Sequence, residues 1–140
     1  IAIPICYDLS YRNVTDRFVA AGAEAFIVPF MDVIDWGRWQ HEQHARIAPL
    51  RAREFGLSMF RVGSSGISQD VSNRGEVLSK AEFPGQEQVI AGTLRFANAR
   101  LPLDHWLAPG CVVAALILMA AMFTRGVCGN ATICAALRSS

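Results

Sequence analysis

The opening stretch Ile1-Ala2-Ile3-Pro4-Ile5-Cys6-Tyr7-Asp8 sets the architecture of this chain, because an apolar run leads directly into a thiol and a carboxylate. The run predicts a buried strand over 1–6. A helical pattern over 14–21 and a second short apolar run at Ala25–Phe30 follow it. Strand, helix and strand in this order predict parallel pairing of the two strands, with Cys6 at the carboxyl end of the first.

The pattern up to about residue 100 continues to alternate helices and strands, which predicts an α/β core. A long helical pattern covers 39–55 and ends at Gly56. Pro49 lies inside it, and an interior proline costs about 3 kcal/mol, so this helix is expected to kink or split. Further strands are predicted at Ser58–Val62, Ile67–Val71, Val77–Ser79 and Gln88–Leu94, with a turn at 73–75.

Composition excludes several classes of protein. The chain has 140 residues, enough for one domain of roughly 100–150 residues. Its formal net charge of +1 gives no electrostatic basis for binding nucleic acid. The four cysteines form no Cys-x-x-Cys pair, and no histidine lies near Cys128 and Cys134. We therefore expect neither a disulfide framework nor a zinc site, and no cofactor.

One segment near the end of the chain is apolar throughout. Residues 107–123 carry no charge, Trp106 precedes them and Arg125 closes them. This pattern predicts one membrane-spanning helix with an aromatic residue at the interface and Pro109 in the first turn. The alternative is a buried core helix, although such a helix usually carries a polar face.

The two ends of the chain each allow a prediction. Residues 126–140 show little periodicity and are predicted to form a poorly ordered tail. The chain begins at Ile1, inside an apolar run and without a methionine. We therefore expect it to be a fragment of a longer protein.

Cys6 is the first candidate for chemistry. It ends a predicted strand and precedes a helix, which is where α/β folds expose reactive groups and where backbone amides favour a thiolate. The alternative is a small, buried apolar residue. Tyr7 and Asp8 would flank the thiol, so Asp8 either orients a general acid, holds the loop, or is an ordinary turn residue.

Other polar residues favour no further chemistry. His41 and His44 are three residues apart and share a helix face, but no third ligand is evident, so a metal site is not expected. The sequence Gly63-Ser64-Ser65-Gly66 has the wrong spacing for the nucleophile elbow of a serine hydrolase. Lys80 is the only lysine in the chain.

Three ordered segments resemble the apolipoprotein N-acyltransferases, a membrane branch of the nitrilase (carbon–nitrogen hydrolase) superfamily. Ile5-Cys6-Tyr7-Asp8 is similar to that family's Ile-Cys-Tyr-Glu nucleophile motif, with a shorter carboxylate at Asp8. The other two segments comprise Gln43-His44, Ala48, Arg51-Ala52 and Glu54, and then Arg61, Ser65-Gly66-Ile67-Ser68 and Gly75. With the single spanning helix, the resemblance covers about residues 1–123.

The resemblance implies a fold and a division of the chain. Residues 1–100 would be the C-terminal half of a four-layer αββα sandwich of the nitrilase type, 101–125 a linker and transmembrane helix, and 126–140 the tail. The family's Asn-Asp-x-Trp-Phe-Gly loop is present in part, as Asp32 and Trp36-Gly37, with Met31 where the family has Asn. Ser64 likewise stands where Asn is usual.

The resemblance also implies a Glu-Lys-Cys triad, of which only the nucleophile maps onto this chain, as Cys6. The family's Glu and Lys precede the nucleophile and are expected before Ile1, so Lys80 lies on the wrong side to be that lysine. With two of three catalytic groups absent, the 140-residue piece is expected to be inactive alone.

The implied reaction is transfer of a phospholipid acyl chain, through a Cys6 thioester, to the N-terminal amine of a lipoprotein cysteine. The implied partners are a phospholipid donor, a lipoprotein acceptor and the bacterial inner membrane, with the catalytic domain on the periplasmic side. Candidates for an apolar substrate lip are Phe30, Met31, Ile34, Trp36 and Trp39, for which core packing is the alternative. The alternatives in function are a membrane-tethered amidase of the nitrilase type and a catalytically dead interaction domain.

Overall fold

The computed structural model of the protein describes residues 1–83, 85 and 87–138, without the side chains of 104 and 124–138. It divides into two compact units, Ile1–Pro102 and a second that begins at Leu103. The elements of the first unit are a 3₁₀ helix at Cys6–Ser10, α1 (Arg12–Ala20), β1 (Ala25–Phe30), α2 (Arg38–Ala45), α3 (Ile47–Phe55), β2 (Ser58–Gly63), β3 (Gln69–Val71) and β4 (Val77–Lys80). The second unit contains α4 (Asp104–Arg138).

The sheet has four strands in the order β1-β2-β3-β4. β1 and β2 are parallel, with Ala25 opposite Ser58 and Phe30 opposite Gly63. β2 pairs with β3, and β3 with β4, in antiparallel fashion. The predicted α/β class is therefore confirmed, and β1 has the predicted bounds.

The prediction of a buried strand over 1–6 is wrong. Only Ala2 makes a bridge, a parallel one with Phe26, while Ile1, Ile3 and Ile5 are exposed. The Ala2 bridge consists of two hydrogen bonds of 3.0 Å. Ala2 N–H donates to the Ala25 carbonyl, and Ile27 N–H donates to the Ala2 carbonyl. Two residues further on, Pro4 has no N–H to donate to a ladder. The parallel direction is confirmed, but the pairing stops after one residue.

The predicted strand at Gln88–Leu94 is also wrong, because this segment has no regular secondary structure. The residues that follow it bond to the backbone elsewhere: Ala97 N–H donates to the Glu24 carbonyl at 3.3 Å, and Arg100 N–H donates at 3.0 Å to the carbonyl of Phe55, the last residue of α3. Val89 is almost fully exposed. This segment therefore forms no strand, and Gly92 lies close to the Asp70 side chain.

The long predicted helix is split, as Pro49 indicates. α2 ends at Ala45 and α3 begins at Ile47, which places Pro49 in the first turn of α3. Amides of a first helical turn have no partner within the helix, so proline costs little there. α3 ends at Phe55, and Gly56 caps it. The φ of Gly56 is 71°, the left-handed conformation that glycine adopts most readily.

The core lies between one face of the sheet and the helices. Phe26 and Phe55 meet edge to face with ring centroids 6.3 Å apart. Ala48 and Ala52 are fully buried, so α3 approaches the sheet closely. Strand side chains alternate between faces, and on the opposite face Val62 is exposed.

In the second unit, residues 105–123 of α4 are long and apolar enough to cross a membrane, by length and composition. The helix begins at Asp104, so Pro109 lies inside it and not in the first turn as predicted. Its early start follows from the bonds of Trp106 N–H and Leu107 N–H to the Leu103 carbonyl, both at 3.0 Å. The backbone of 126–138 continues the helix, where a tail is predicted, and residues 139–140 lie outside the described range.

Candidate active site

Cys6 occupies a strained turn. Its φ is 50°, and among the described residues outside glycine it alone has a positive φ. Such a conformation costs about 1–3 kcal/mol and persists only where the surroundings enforce it. The residue opens the 3₁₀ helix Cys6–Ser10, which we call the Cys6 turn, and its free thiol is partly exposed. A strained, accessible thiol at the end of an extended segment is suited to nucleophilic attack.

Asp8 makes two hydrogen bonds at the start of the Cys6 turn. Its carboxylate Oδ2 accepts a hydrogen bond from Ile5 N–H at 3.0 Å, and its own N–H donates to the Ile5 carbonyl at 2.9 Å. Two reciprocal bonds therefore bracket Cys6 and Tyr7. Of the roles considered for Asp8, this geometry is that of holding the loop.

Tyr7 packs against two other rings. It stacks on His44 with centroids 4.9 Å apart and planes at 18°. It also meets Trp36 edge to face at 6.5 Å. The Cys6 turn is thus in contact with α2 and with the loop that precedes α2.

Behind these rings lies a buried cluster of charged and polar side chains, formed by Asp32, His41, His44 and Arg61. Asp32 Oδ1 lies 2.6 Å from His44 Nδ1, and Asp32 Oδ2 lies 3.3 Å from His41 Nδ1. Asp32 Oδ2 is also 3.6 Å from Arg61 Nη2. All four side chains are nearly inaccessible to solvent. Sequence analysis weighed His41 and His44 as metal ligands and named Asp32, His44 and Arg61 in separate motifs, but it did not bring the four together.

The proton positions in this cluster follow from its chemistry. Arg61 Nη2 lies 2.9 Å from the same His44 Nδ1 that faces Asp32, and a guanidinium only donates. Since a nitrogen cannot donate to Asp32 and accept from Arg61 together, we assign the proton to the shorter contact, His44 Nδ1–H to Asp32. Burial, reinforced by the charge of Arg61, lowers the pKa of His44 against the opposing pull of Asp32. His44 is then neutral at pH 7.

Arg61 supplies the positive charge of the site. Burial lowers its pKa to about 10, against the opposing effects of Asp32 and Cys6, so it remains cationic at neutral pH. Nη1 donates to the Ile67 carbonyl at 2.5 Å, and the guanidinium carbon lies 3.4 Å from the centre of the Phe30 ring.

The end of β2 and the loop after it each need a glycine, because the backbone there lies close to Phe30 and Asp32. Gly66 has a φ of 95°, and a Cβ there would lie 2.5 Å from Asp32 Oδ2. A Cβ on Gly63 would overlap the Phe30 ring. Ser65 Oγ donates to the Asp32 carbonyl at 2.5 Å. The segment that carries the family resemblance therefore holds Asp32 in place.

A groove of about 690 Å³ opens beside Tyr7. This volume lies within the range of about 300–1,000 Å³ of small-molecule sites. Two of the five lip candidates, Trp36 and Trp39, line this groove, and the Trp39 side chain is 61% exposed. The complete lining is Tyr7, Trp36, Trp39, Gln40, Gln43, His44 and Ile47.

The other lip candidates lie elsewhere. Phe30 is buried, so the alternative of core packing holds for it. Met31 and Ile34 are exposed but do not line this groove.

Lys80 is not part of the site. It lies at the end of β4, three strands from β1, and strands are about 4.8 Å apart. Its Nζ pairs with Glu82 Oε1 at 2.7 Å. Within the described range, no group of three or more histidine, cysteine, aspartate or glutamate side chains is arranged to hold a metal ion.

Two curated relatives match most of the chain. They are the proteins named apolipoprotein N-acyltransferase of Neisseria meningitidis serogroup A (strain Z2491) and serogroup B (strain MC58), each 27% identical over 125 residues. The match covers 84% of this chain and 24% of either relative, so the chain spans about a quarter of their length. No family model matches the sequence.

Solved structures with a similar arrangement were also found. A carbon–nitrogen hydrolase from Helicobacter pylori G27 has a TM-score of 0.49 and 21% identity, covering 57% of this chain and 35% of its own. Nit3 of Saccharomyces cerevisiae, a member of the nitrilase superfamily, has a TM-score of 0.48 and 22% identity, covering 58% and 32%. The resemblance to the apolipoprotein N-acyltransferases is confirmed by the names of the two curated homologues.

Proposed function

We propose that this chain contributes the nucleophile of a phospholipid-dependent N-acyltransferase. The observation that carries the proposal is the position of Cys6. It is held at positive φ, and the residue after it, Tyr7, lines an aromatic groove. The names of the two Neisseria relatives favour the same reaction. Because the chain spans only about a quarter of those relatives, the reaction is proposed for the longer protein that contains this sequence.

The first step is attack of the Cys6 thiolate on the carbonyl carbon of a phospholipid ester. The sulfur–carbon bond forms, the ester carbon–oxygen bond breaks, and the lysophospholipid hydroxyl leaves with a proton. In the second step the amine of a lipoprotein N-terminal cysteine attacks the thioester. An amide forms, and the thiol of Cys6 is restored.

The chain's own residues would support this sequence in two ways. Backbone amides near Tyr7 would stabilise the oxyanion. Asp32 and His44 hold Arg61 and Tyr7 in place. The general base and the lysine of the family triad would come from sequence before Ile1.

The groove and α4 suit lipid substrates. Trp36 and Trp39 offer aromatic surface beside Tyr7, where an acyl chain would lie. The apolar segment of α4 would keep the active site at the membrane surface. The inner membrane, and its periplasmic side, are the proposed location.

The sheet face opposite the core favours a larger assembly, because Val62 of β2 is 42% exposed there. A second sheet would cover this part of the face and complete the proposed αββα sandwich. The 140-residue piece alone is accordingly expected to be inactive.

The test is to supply the full-length parent protein with a phospholipid carrying a labelled acyl chain and a synthetic diacylated lipopeptide with a free N-terminal cysteine. The expected product is the labelled amide of that lipopeptide. Labelled free fatty acid without amide would indicate water as the acceptor, which is the reaction of a tethered hydrolase. No labelled product from folded protein would favour the interaction domain.

A further inference from the structure

The far end of the Cys6 turn is held by a side chain from α3. Arg51 Nε donates to the Leu9 carbonyl at 3.1 Å, and Arg51 Nη2 donates to the Ser10 carbonyl at 3.0 Å. The last carbonyls of a short helix have no partners within it and need donors from elsewhere. A guanidinium supplies two parallel donors in a rigid fork, at the helix end where positive charge is favourable.

Arg51 is itself fixed in orientation. Its Nη1 donates to Glu54 Oε2 at 2.5 Å, three residues further along α3. Arg12 lies 3.4 Å from the other oxygen of Glu54. Arg51 is only 11% exposed, so its hydrogen bonds are shielded from water. α3 is anchored in the core by the fully buried Phe55, so the guanidinium is presented from a rigid element.

The two ends of the Cys6 turn are therefore clamped separately. At its start, Asp8 bonds with Ile5, and at its end, Arg51 bonds with Leu9 and Ser10. The positive φ of Cys6 lies between the clamps. An unfavourable backbone conformation relaxes when its ends are free, so both clamps are needed to keep the sulfur where it stands.

We propose that Arg51 is a positioning residue for Cys6: by holding the carbonyls of Leu9 and Ser10, it fixes the strained turn and the direction of the thiol. This inference rests on the proposed function for its kinetic consequence. Its geometric consequence, the stability of the turn around Cys6, does not depend on what the enzyme acylates. Arg51 does not line the groove and would act through the turn.

The experiment uses the full-length parent protein in detergent, with Arg51→Met, Arg51→Lys and, as a control on the exposed side of the same helix, Arg53→Met. Measured are kcat and KM for phospholipid, and the rate at which iodoacetamide alkylates Cys6 without any lipid. For Arg51→Met we expect kcat to fall about 10²-fold with KM within about twofold, because misplacement of the nucleophile affects the chemical step. Arg51→Lys should recover part of the loss, and Arg53→Met should match the wild type.

Loss of one charge-assisted hydrogen bond raises the population of the opened turn about tenfold or more. The rate of Cys6 alkylation should therefore be at least about tenfold higher in Arg51→Met than in the wild type. Melting temperatures and circular dichroism identify the folded variants. If Arg51→Met does not fold, Arg51→Lys and Glu54→Gln carry the same comparison; Glu54→Gln weakens the support of the guanidinium and also the ion pair with Arg12.

Two outcomes separate this inference from the proposed function. Folded Arg51 variants with a lower melting temperature but wild-type kcat and alkylation rate would overturn the positioning role and leave the acyltransferase intact. A wild-type protein that transfers no acyl chain, but whose Cys6 alkylation still depends on Arg51, would overturn the proposed function and leave the positioning role standing.

Discussion

Tyr7 stacks on His44 with ring centroids 4.9 Å apart and ring planes at 18° to each other. The contact joins the residue beside the candidate nucleophile to a buried histidine that is bonded to Asp32. Through it, the Cys6 turn rests on a charged cluster and not on an apolar core alone. The protonation state of His44 therefore matters for the stability of the site.

Stability is expected to fall in mild acid because of His44. Burial lowers the pKa of this side chain in the folded protein, so the unfolded chain binds a proton there more readily. The free energy of unfolding is then highest above about pH 6.5 and decreases as the pH falls below it. Melting temperatures between pH 5 and pH 8 should show this decrease in the wild type and a shallower one in His44→Gln.

Removal of the charge of Asp32 is expected to be severely destabilising. Asp32→Asn leaves the buried guanidinium of Arg61 without its carboxylate partner. Breaking a buried ion pair in this way costs about 3–5 kcal/mol. Chemical denaturation of Asp32→Asn should show a loss of this size, and the exposed Asp35→Asn should stay within about 0.5 kcal/mol of the wild type. Similar stability of the two variants would contradict the structural role given to the cluster.

Gly66 tests the close approach of the β2–β3 loop to Asp32. In Gly66→Ala the new Cβ would lie 2.5 Å from Asp32 Oδ2, in addition to an unfavourable φ of 95°. Gly56→Ala is the matched control, because its φ is 71° and nothing lies within 4 Å of the Cβ position. A positive φ alone costs about 1–3 kcal/mol. The free energy of unfolding should therefore decrease more in Gly66→Ala than in Gly56→Ala, and equal losses would argue against the contact.

Trp39 tests the groove as the site for the acyl chain. Its side chain is 61% exposed and lines the groove, so Trp39→Ala should leave the melting temperature nearly unchanged. If the acyl chain packs on this ring, KM for phospholipid should rise about tenfold or more, because burying an aromatic side chain contributes about 1.5–3 kcal/mol. Leu50→Ala, equally exposed on α3 but outside the groove, serves as the control. An unchanged KM in Trp39→Ala would place the acyl chain elsewhere.

Local sequence patterns correctly predicted the elements whose formation depends on residues that are near one another in sequence. Ala25–Phe30 is a strand with the predicted bounds because it is a continuous apolar run, buried along most of its length. The split before Pro49 follows from a missing N–H. The apolar segment at 88–94 was misassigned, because strand formation also requires a neighbouring edge, which no local pattern reveals.

The candidate site was predictable only in part. Cys6 was found from its place after an apolar run, but its positive φ is a property of the folded turn. The cluster of Asp32, His44 and Arg61 brings together a loop, a helix and a strand that are 12 and 17 residues apart in sequence. Helical and strand periodicity relate residues two to four positions apart, so they carry no information on such contacts.

The central claim is that Cys6 carries the acyl group. The most direct test incubates the full-length parent protein in detergent with a phospholipid whose acyl chain is labelled, then analyses its peptides by mass spectrometry, with Cys6→Ala as the control. We predict a labelled acyl group on the Cys6 peptide that hydroxylamine removes, as it removes a thioester, and no label in Cys6→Ala. Folded wild-type protein without a label on Cys6, or equal labelling of Cys6→Ala, would contradict the account.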